Sequence, residues 1–170
     1  MRKLTLLLLS VLALSAYAQV TTEPAIIQKG YDGEITIIFN PNEGNKGMSG
    51  ATKCYAHTGL ITSASSSDGD WKNVVEGWRT NTSKTQMTKD GNNWKLVIPN
   101  IYEYYKVPTT TEIKKIAFVF HDGPSGSKEG KTEDGKDIFV ELADKGLAVS
   151  INDFAEITSL NSKVTLTGNA

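Results

Sequence analysis

Between Tyr55 and Trp78 the chain gathers one of its two histidines and two of its three tryptophans. The stretch opens Tyr55-Ala56-His57-Thr58-Gly59-Leu60-Ile61-Thr62, passes through Ser, Gly and Asp, and closes Trp71-Lys72-Asn73-Val74-Val75-Glu76-Gly77-Trp78. A tryptophan left in water forgoes roughly 1.5–3 kcal/mol of burial. These rings therefore either fill a core or stand at a surface to hold something. A ring with an apolar body and a polar tip suits the apolar face of a sugar, while polar neighbours take its hydroxyls. Tyr55, His57, Trp71 and Trp78 are thus candidate carbohydrate contacts. With Gly77 breaking the strand between them, one tryptophan can face the core and the other solvent. Trp94 alternates with Leu96 and Ile98 and reads as core.

Catalytic chemistry is poorly supplied. Cys54 and His57 stand three apart on an expected strand, so they point to opposite faces. A nucleophile and its base must lie within hydrogen-bond reach, and Cys54 reads instead as a small buried hydrophobe. His57 and His121 lack the spaced partners of a metal motif. No Gly-rich phosphate loop and no Gly-x-Ser-x-Gly elbow occurs. Glu129, Glu133, Asp134 and Asp137 cluster, with Lys128, Lys131 and Lys136 between them. Glycoside hydrolysis needs two carboxylates flanking a cleft, whereas this mixed-sign run reads as a solvated connector. Calcium would favour such clustered oxygens, but Glu133, Asp134 and Asp137 do not match an EF-hand spacing. The chain is expected to be no enzyme and to hold no cofactor and no metal.

The elements that must position the aromatic run are strands. Period-2 alternation places Ile35, Ile37 and Phe39 on one face, and likewise Ile116, Phe118 and Phe120, with Ala117 and Val119 opposite. Ile138, Val140 and Leu142 form a third set. Thr85–Lys89 and Trp94–Ile98, joined across Asp90-Gly91-Asn92-Asn93, read as a hairpin. Residues 41–47 and 63–70 are loops. Residues 100–107 form a short helical turn, capped by Asn100 and stopped by Pro108. Strands at this spacing, with Gly-rich turns and little helix, predict an all-β fold of the β-sandwich kind.

The chain ends bound the rest. Arg2 and Lys3 precede an apolar stretch over 4–14, and Ala16-Tyr17-Ala18 is a small-residue cleavage site. Residues 1–18 thus read as a signal peptide, giving an exported protein, periplasmic or extracellular. The apolar stretch is shorter than the ~20 residues of a membrane span, so no membrane insertion is expected after cleavage. Cys54 is the single cysteine, so no intramolecular disulfide is possible and stability must come from a hydrophobic core. A net charge of −1, from 18 basic and 19 acidic residues, offers no footprint for nucleic acid. Residues 19–143 make one domain. Residues 144–170 read as a linker and the start of a second, truncated β-domain, or as a tail docked on the first; strands are expected over 147–151 and 164–167.

The order of these motifs resembles one module. The carriers are Tyr55-Ala56-His57-Thr58-Gly59-Leu60-Ile61-Thr62, Trp71-Lys72-Asn73-Val74, Trp78, Asn81-Thr82, Gly91-Asn92-Asn93 and Tyr104-Tyr105-Lys106-Val107-Pro108. Ile116-Ala117-Phe118-Val119-Phe120 and Asp137-Ile138-Phe139-Val140 complete the set. Together, over roughly residues 21–142, they are similar to the N-terminal immunoglobulin-like β-sandwich preceding the catalytic barrel in secreted Bacteroidetes alpha-amylase-family enzymes. The resemblance implies an immunoglobulin-like β-sandwich without catalytic residues of its own. It implies an accessory module of a secreted glycan-utilisation protein, with a starch-like α-glucan as partner and further domains in a longer parent. The alternatives are a structural spacer that binds no sugar, or the N-terminal fragment of an alpha-amylase-like hydrolase.

Overall fold

A computed structural model describes residues 18–145. The expected leader, apart from Ala18, and the strands expected over 147–151 and 164–167 lie outside the described residues. The described chain is all-β, built of two antiparallel sheets with a single short helix.

The first sheet has the order β1-β2-β5-β4. It comprises β1 (Val20–Glu23), β2 (Ile35–Phe39), β4 (Thr88–Asp90) and β5 (Asn93–Ile98). Ile35, Ile37 and Phe39 are fully buried, and Trp94, Leu96 and Ile98 opposite them in register are buried as well. The expected hairpin forms with a tighter connection, since Asp90 pairs with Asn93 and only Gly91 and Asn92 turn the chain.

The second sheet is centred on β6 (Ile113–His121). Along one side runs β3 (Tyr55–Thr62), pairing Tyr55 with His121 and His57 with Val119. The other side is shared. The two-residue β7 (Glu129–Gly130) pairs with Phe120 and His121, and β8 (Ile138–Glu141) pairs with residues 115–118.

The core lies between the sheets. Ile116, Phe118 and Phe120 of β6 and Ala56 and Leu60 of β3 meet Ile35, Ile37 and Phe39 of β2. The Phe39 and Phe120 rings stack with centroids 3.9 Å apart, joining the two layers. Gly130 is required at that contact, because a Cβ there would lie 2.7 Å from the Phe39 ring. Helix α1 (Ile101–Tyr105) closes one end. The Asn100 side chain accepts from the Tyr102 and Glu103 amides, so the expected cap is in place. Four of its five residues are buried, and the Tyr105 hydroxyl lies 2.6 Å from that of Thr58 inside the core. The Ala143 amide donates to the Ile27 carbonyl at 2.8 Å.

Candidate functional site

Because strand side chains alternate, residues of β3 and β6 that do not enter the core line the outer face of the second sheet. They are Tyr55, His57, Gly59 and Ile61 on β3, and Ala117, Val119 and His121 on β6. His57 and Val119 are register partners. Asp137 immediately precedes Ile138, which pairs with Phe118. It therefore extends the same row and falls beside Val119. His57, Val119 and Asp137 thus span three adjacent strand positions.

The connection from β3 to β4, residues 63–87, doubles back along the free edge of β3. Leu60 and Lys72 exchange both backbone hydrogen bonds, at 2.8 and 2.7 Å. The Val75 amide donates to Thr58, and those of Ala56 and Met87 bond to Thr85 and Cys54. This answers the edge's unpaired backbone groups and draws residues 71–78 over the sheet. Gly59 makes the approach possible. A Cβ there would lie 3.1 Å from both the Lys72 carbonyl and the Val74 side chain, and 3.3 Å from the Trp71 ring.

The aromatic groups then form a connected series. The Trp71 and His57 rings stack, with centroids 5.5 Å apart and planes 27° apart. Trp78 meets His57 edge-on, at 5.0 Å and 82°. It also leans on His121 at 5.4 Å, and His121 stacks on Tyr55 at 5.6 Å. The Trp71 indole N–H donates to the Asp68 carbonyl at 3.1 Å, which fixes the ring's orientation.

Arg79 pins the end of this cover. Its guanidinium donates to the carbonyls of Gly123, Gly126 and Lys128 at 3.0, 2.7 and 3.3 Å. It also pairs with Asp122 and Glu129, both at 3.3 Å. The same cation lies 5.5 Å from the Trp78 ring. Arg79 itself holds a left-handed φ of +56°. Such a conformation costs a non-glycine residue of order 1–3 kcal/mol and persists where surrounding contacts impose it.

Between cover and sheet opens a cleft of about 420 Å³. His57, Trp71, Val74, Trp78 and Val119 line its apolar part; Asp70, Lys131 and Asp137 line its polar part. Trp78 remains 47% exposed and Val74 41%, apolar surface open to solvent at the same cleft. Asp70 is ion-paired to Lys72 at 2.7 Å. That bond, with the Ser66 amide, holds its carboxyl down at about 2. Burial lowers the His57 pKa, opposed by a hydrogen bond with the Glu76 backbone and by the Asp137 charge. The His57 Nδ1 is buried without a partner among the described residues. Burial also lowers His121, to about 4, assisted by the charge of Arg79. Its Nδ1 accepts from the Gly123 amide at 3.1 Å, the bonding of a neutral imidazole.

Of the four ring residues singled out in the sequence, His57, Trp71 and Trp78 line this cleft. Tyr55 is buried at 5% exposure and supports the series through His121. Cys54 lies in the core, on the face opposite His57, where burial pushes its thiol pKa up. Sequence reasoning passed over Val74, Arg79, Lys131 and Asp137. The last two sit in the connector read as solvated, and only the pairing of β7 and β8 with β6 brings them to the cleft. Among the described residues no group of three or more His, Cys, Asp or Glu is placed to hold a metal ion. No helix of the described residues is long and apolar enough to cross a membrane. A wider groove of about 650 Å³ beside β4 and β5 includes Lys84, Lys89 and Lys95. Its one aromatic ring, Tyr104, is buried, so it lacks the exposed ring faces of the first cleft. The chain matches no known family model and no curated protein.

Proposed function

We propose that this chain is a non-catalytic, exported glycan-binding module with an immunoglobulin-like β-sandwich fold, holding a starch-like α-glucan in the His57–Trp71–Trp78 cleft. Two sheets enclosing one apolar core support the sandwich reading. One observation carries the binding reading: two indoles and an imidazole converge on an open cleft that Asp70, Lys131 and Asp137 also line. Trp78, half exposed beside exposed Val74, is apolar surface kept available rather than buried.

The ring planes favour a curved ligand. Trp71 lies within 27° of the His57 plane and Trp78 stands at 82° to it, so the two indoles are not coplanar. A straight, ribbon-like glycan would lie flat on one indole and meet the other edge-on. A coiled α-linked chain turns between them. Hydrolysis is disfavoured, since one of a carboxylate pair must be a proton donor with a raised pKa. The pairing of Asp70 with Lys72 keeps that group ionised.

The test is retardation of the mature protein in a native gel containing amylopectin. Trp71→Ala and Trp78→Ala together are expected to weaken binding at least tenfold, as loss of an aromatic hot spot costs ~2 kcal/mol or more. A loss of no more than about twofold would remove these rings from the site. A folded protein that is not retarded, and is silent across a glycan array, would favour the structural-spacer reading.

A further inference from the structure

Asp137 ends a Gly-rich run of mixed charge, yet the fold places it in the same row as His57 and Val119, on the wall of the cleft. The acids around it are engaged. Asp70 pairs with Lys72 at 2.7 Å, Glu129 with Lys131 at 3.0 Å, Asp122 with Arg79 at 3.3 Å and Asp134 with Lys136 at 2.6 Å. The Asp137 side chain makes no ion pair or hydrogen bond among the described residues, although it is partly buried. Lys131, the cation on the same wall, is held by Glu129. The polar lining of the cleft thus presents a carboxylate, Asp137, that pairs with no cation among the described residues.

A carboxylate accepts hydrogen bonds and has none to give. The ring end offers apolar faces, about two strand spacings or ~10 Å away across the sheet. A ligand meeting both ends needs an apolar face and adjacent donors. A neutral, hydroxyl-rich sugar chain has both. A glycan carrying carboxylates or sulfates would bring like charge onto Asp137 without a counter-charge.

We infer that Asp137 accepts the sugar hydroxyls in this cleft and sets its preference for neutral over anionic glycans. The inference rests on the glycan-binding reading above. It is tested by isothermal titration calorimetry at pH 7 with maltoheptaose and with an α-1,4-linked oligogalacturonate of the same length. The wild type, Asp137→Ala and Asp137→Asn are compared, with thermal melts confirming that each is folded.

Asp137→Ala is expected to weaken maltoheptaose binding about tenfold, the loss of a hydrogen bond to a charged group. Asp137→Asn keeps a carbonyl acceptor and drops the charge. It should lose less on maltoheptaose and narrow the ratio between the neutral and the acidic oligosaccharide. An alanine variant within twofold of wild type on maltoheptaose overturns the inference and leaves the glycan reading standing. So does an asparagine variant with the wild-type ratio. A folded wild type that binds neither sugar overturns both.

Discussion

His121 is 1% exposed, with Arg79, His57, Asp122 and Glu129 as its charged or titratable neighbours. Burial first, then the two cationic or protonatable neighbours, depress its pKa to about 4, while the two acids pull the other way. His57 is shifted in the same direction. An unfolded histidine titrates near 6.5. Between about pH 6.5 and 4 the unfolded chain therefore binds protons that the folded chain refuses. Stability should be fully present above that window and fall as pH drops through it, by roughly 1–3 kcal/mol. Urea denaturation at pH 7.5 and at pH 4.5 measures the difference, and His121→Gln should flatten it. Asp70 and Asp134, each held at about 2 by a lysine, would add their own losses below that window.

The connection of residues 63–87 is the element that turns a sheet face into a cleft. Residues 72–75 and 85–87 are held by backbone bonds to β3 and Cys54, and the stretch between them by the Arg79 side chain, 17% exposed. A planar guanidinium can reach three carbonyls and two carboxylates at once; a single ammonium cannot. Arg79→Lys is expected to cost about 1–3 kcal/mol in denaturant unfolding. It should also shift tryptophan emission to the red as Trp78 loses its seat between His57 and His121. A variant with wild-type stability and emission would show that the backbone bonds alone hold the cover. The alternation of β2, β5 and β6 and the cap at Asn100 were all legible in the sequence, because period and capping chemistry are local. The course of the 63–87 connection was not. Only residues 63–70 read as a loop; the strand expected around Gly77 does not form, because residues 71–78 follow the open edge of β3, and which edge stands open is set by strand pairing.

At the scale of the molecule, the two sheets are coupled by the Phe39–Phe120 stack, with Phe118 at 5.6 Å from Phe120. No disulfide backs this core, since Cys54 is the single cysteine. Phe120→Ala is expected to cost about 3–5 kcal/mol, the usual loss for a large buried ring. That is a large share of the 5–15 kcal/mol typical of a domain. A far-UV circular dichroism melt of the variant checks it, and an unchanged midpoint would show that the sheets are held mainly elsewhere. Because Phe120 and His121 are neighbours on opposite faces of β6, core packing and cleft geometry share one strand.

The amino-acid sequence by itself determined the all-β class, the inward faces of the main strands, the hairpin across residues 90–93 and the short capped helix. Each follows from spacing within a few residues, where alternation, turn chemistry and capping act. It also pointed to His57, Trp71 and Trp78 as the unusual rings. Only the tertiary structure decided that these three meet on one cleft while Tyr55 is buried behind them. It also decided that Asp137 and Lys131 line the same cleft. Those juxtapositions depend on which strands pair and in what register. A connector that looks solvated along the chain becomes part of a site once β7 and β8 dock on the far side of β6.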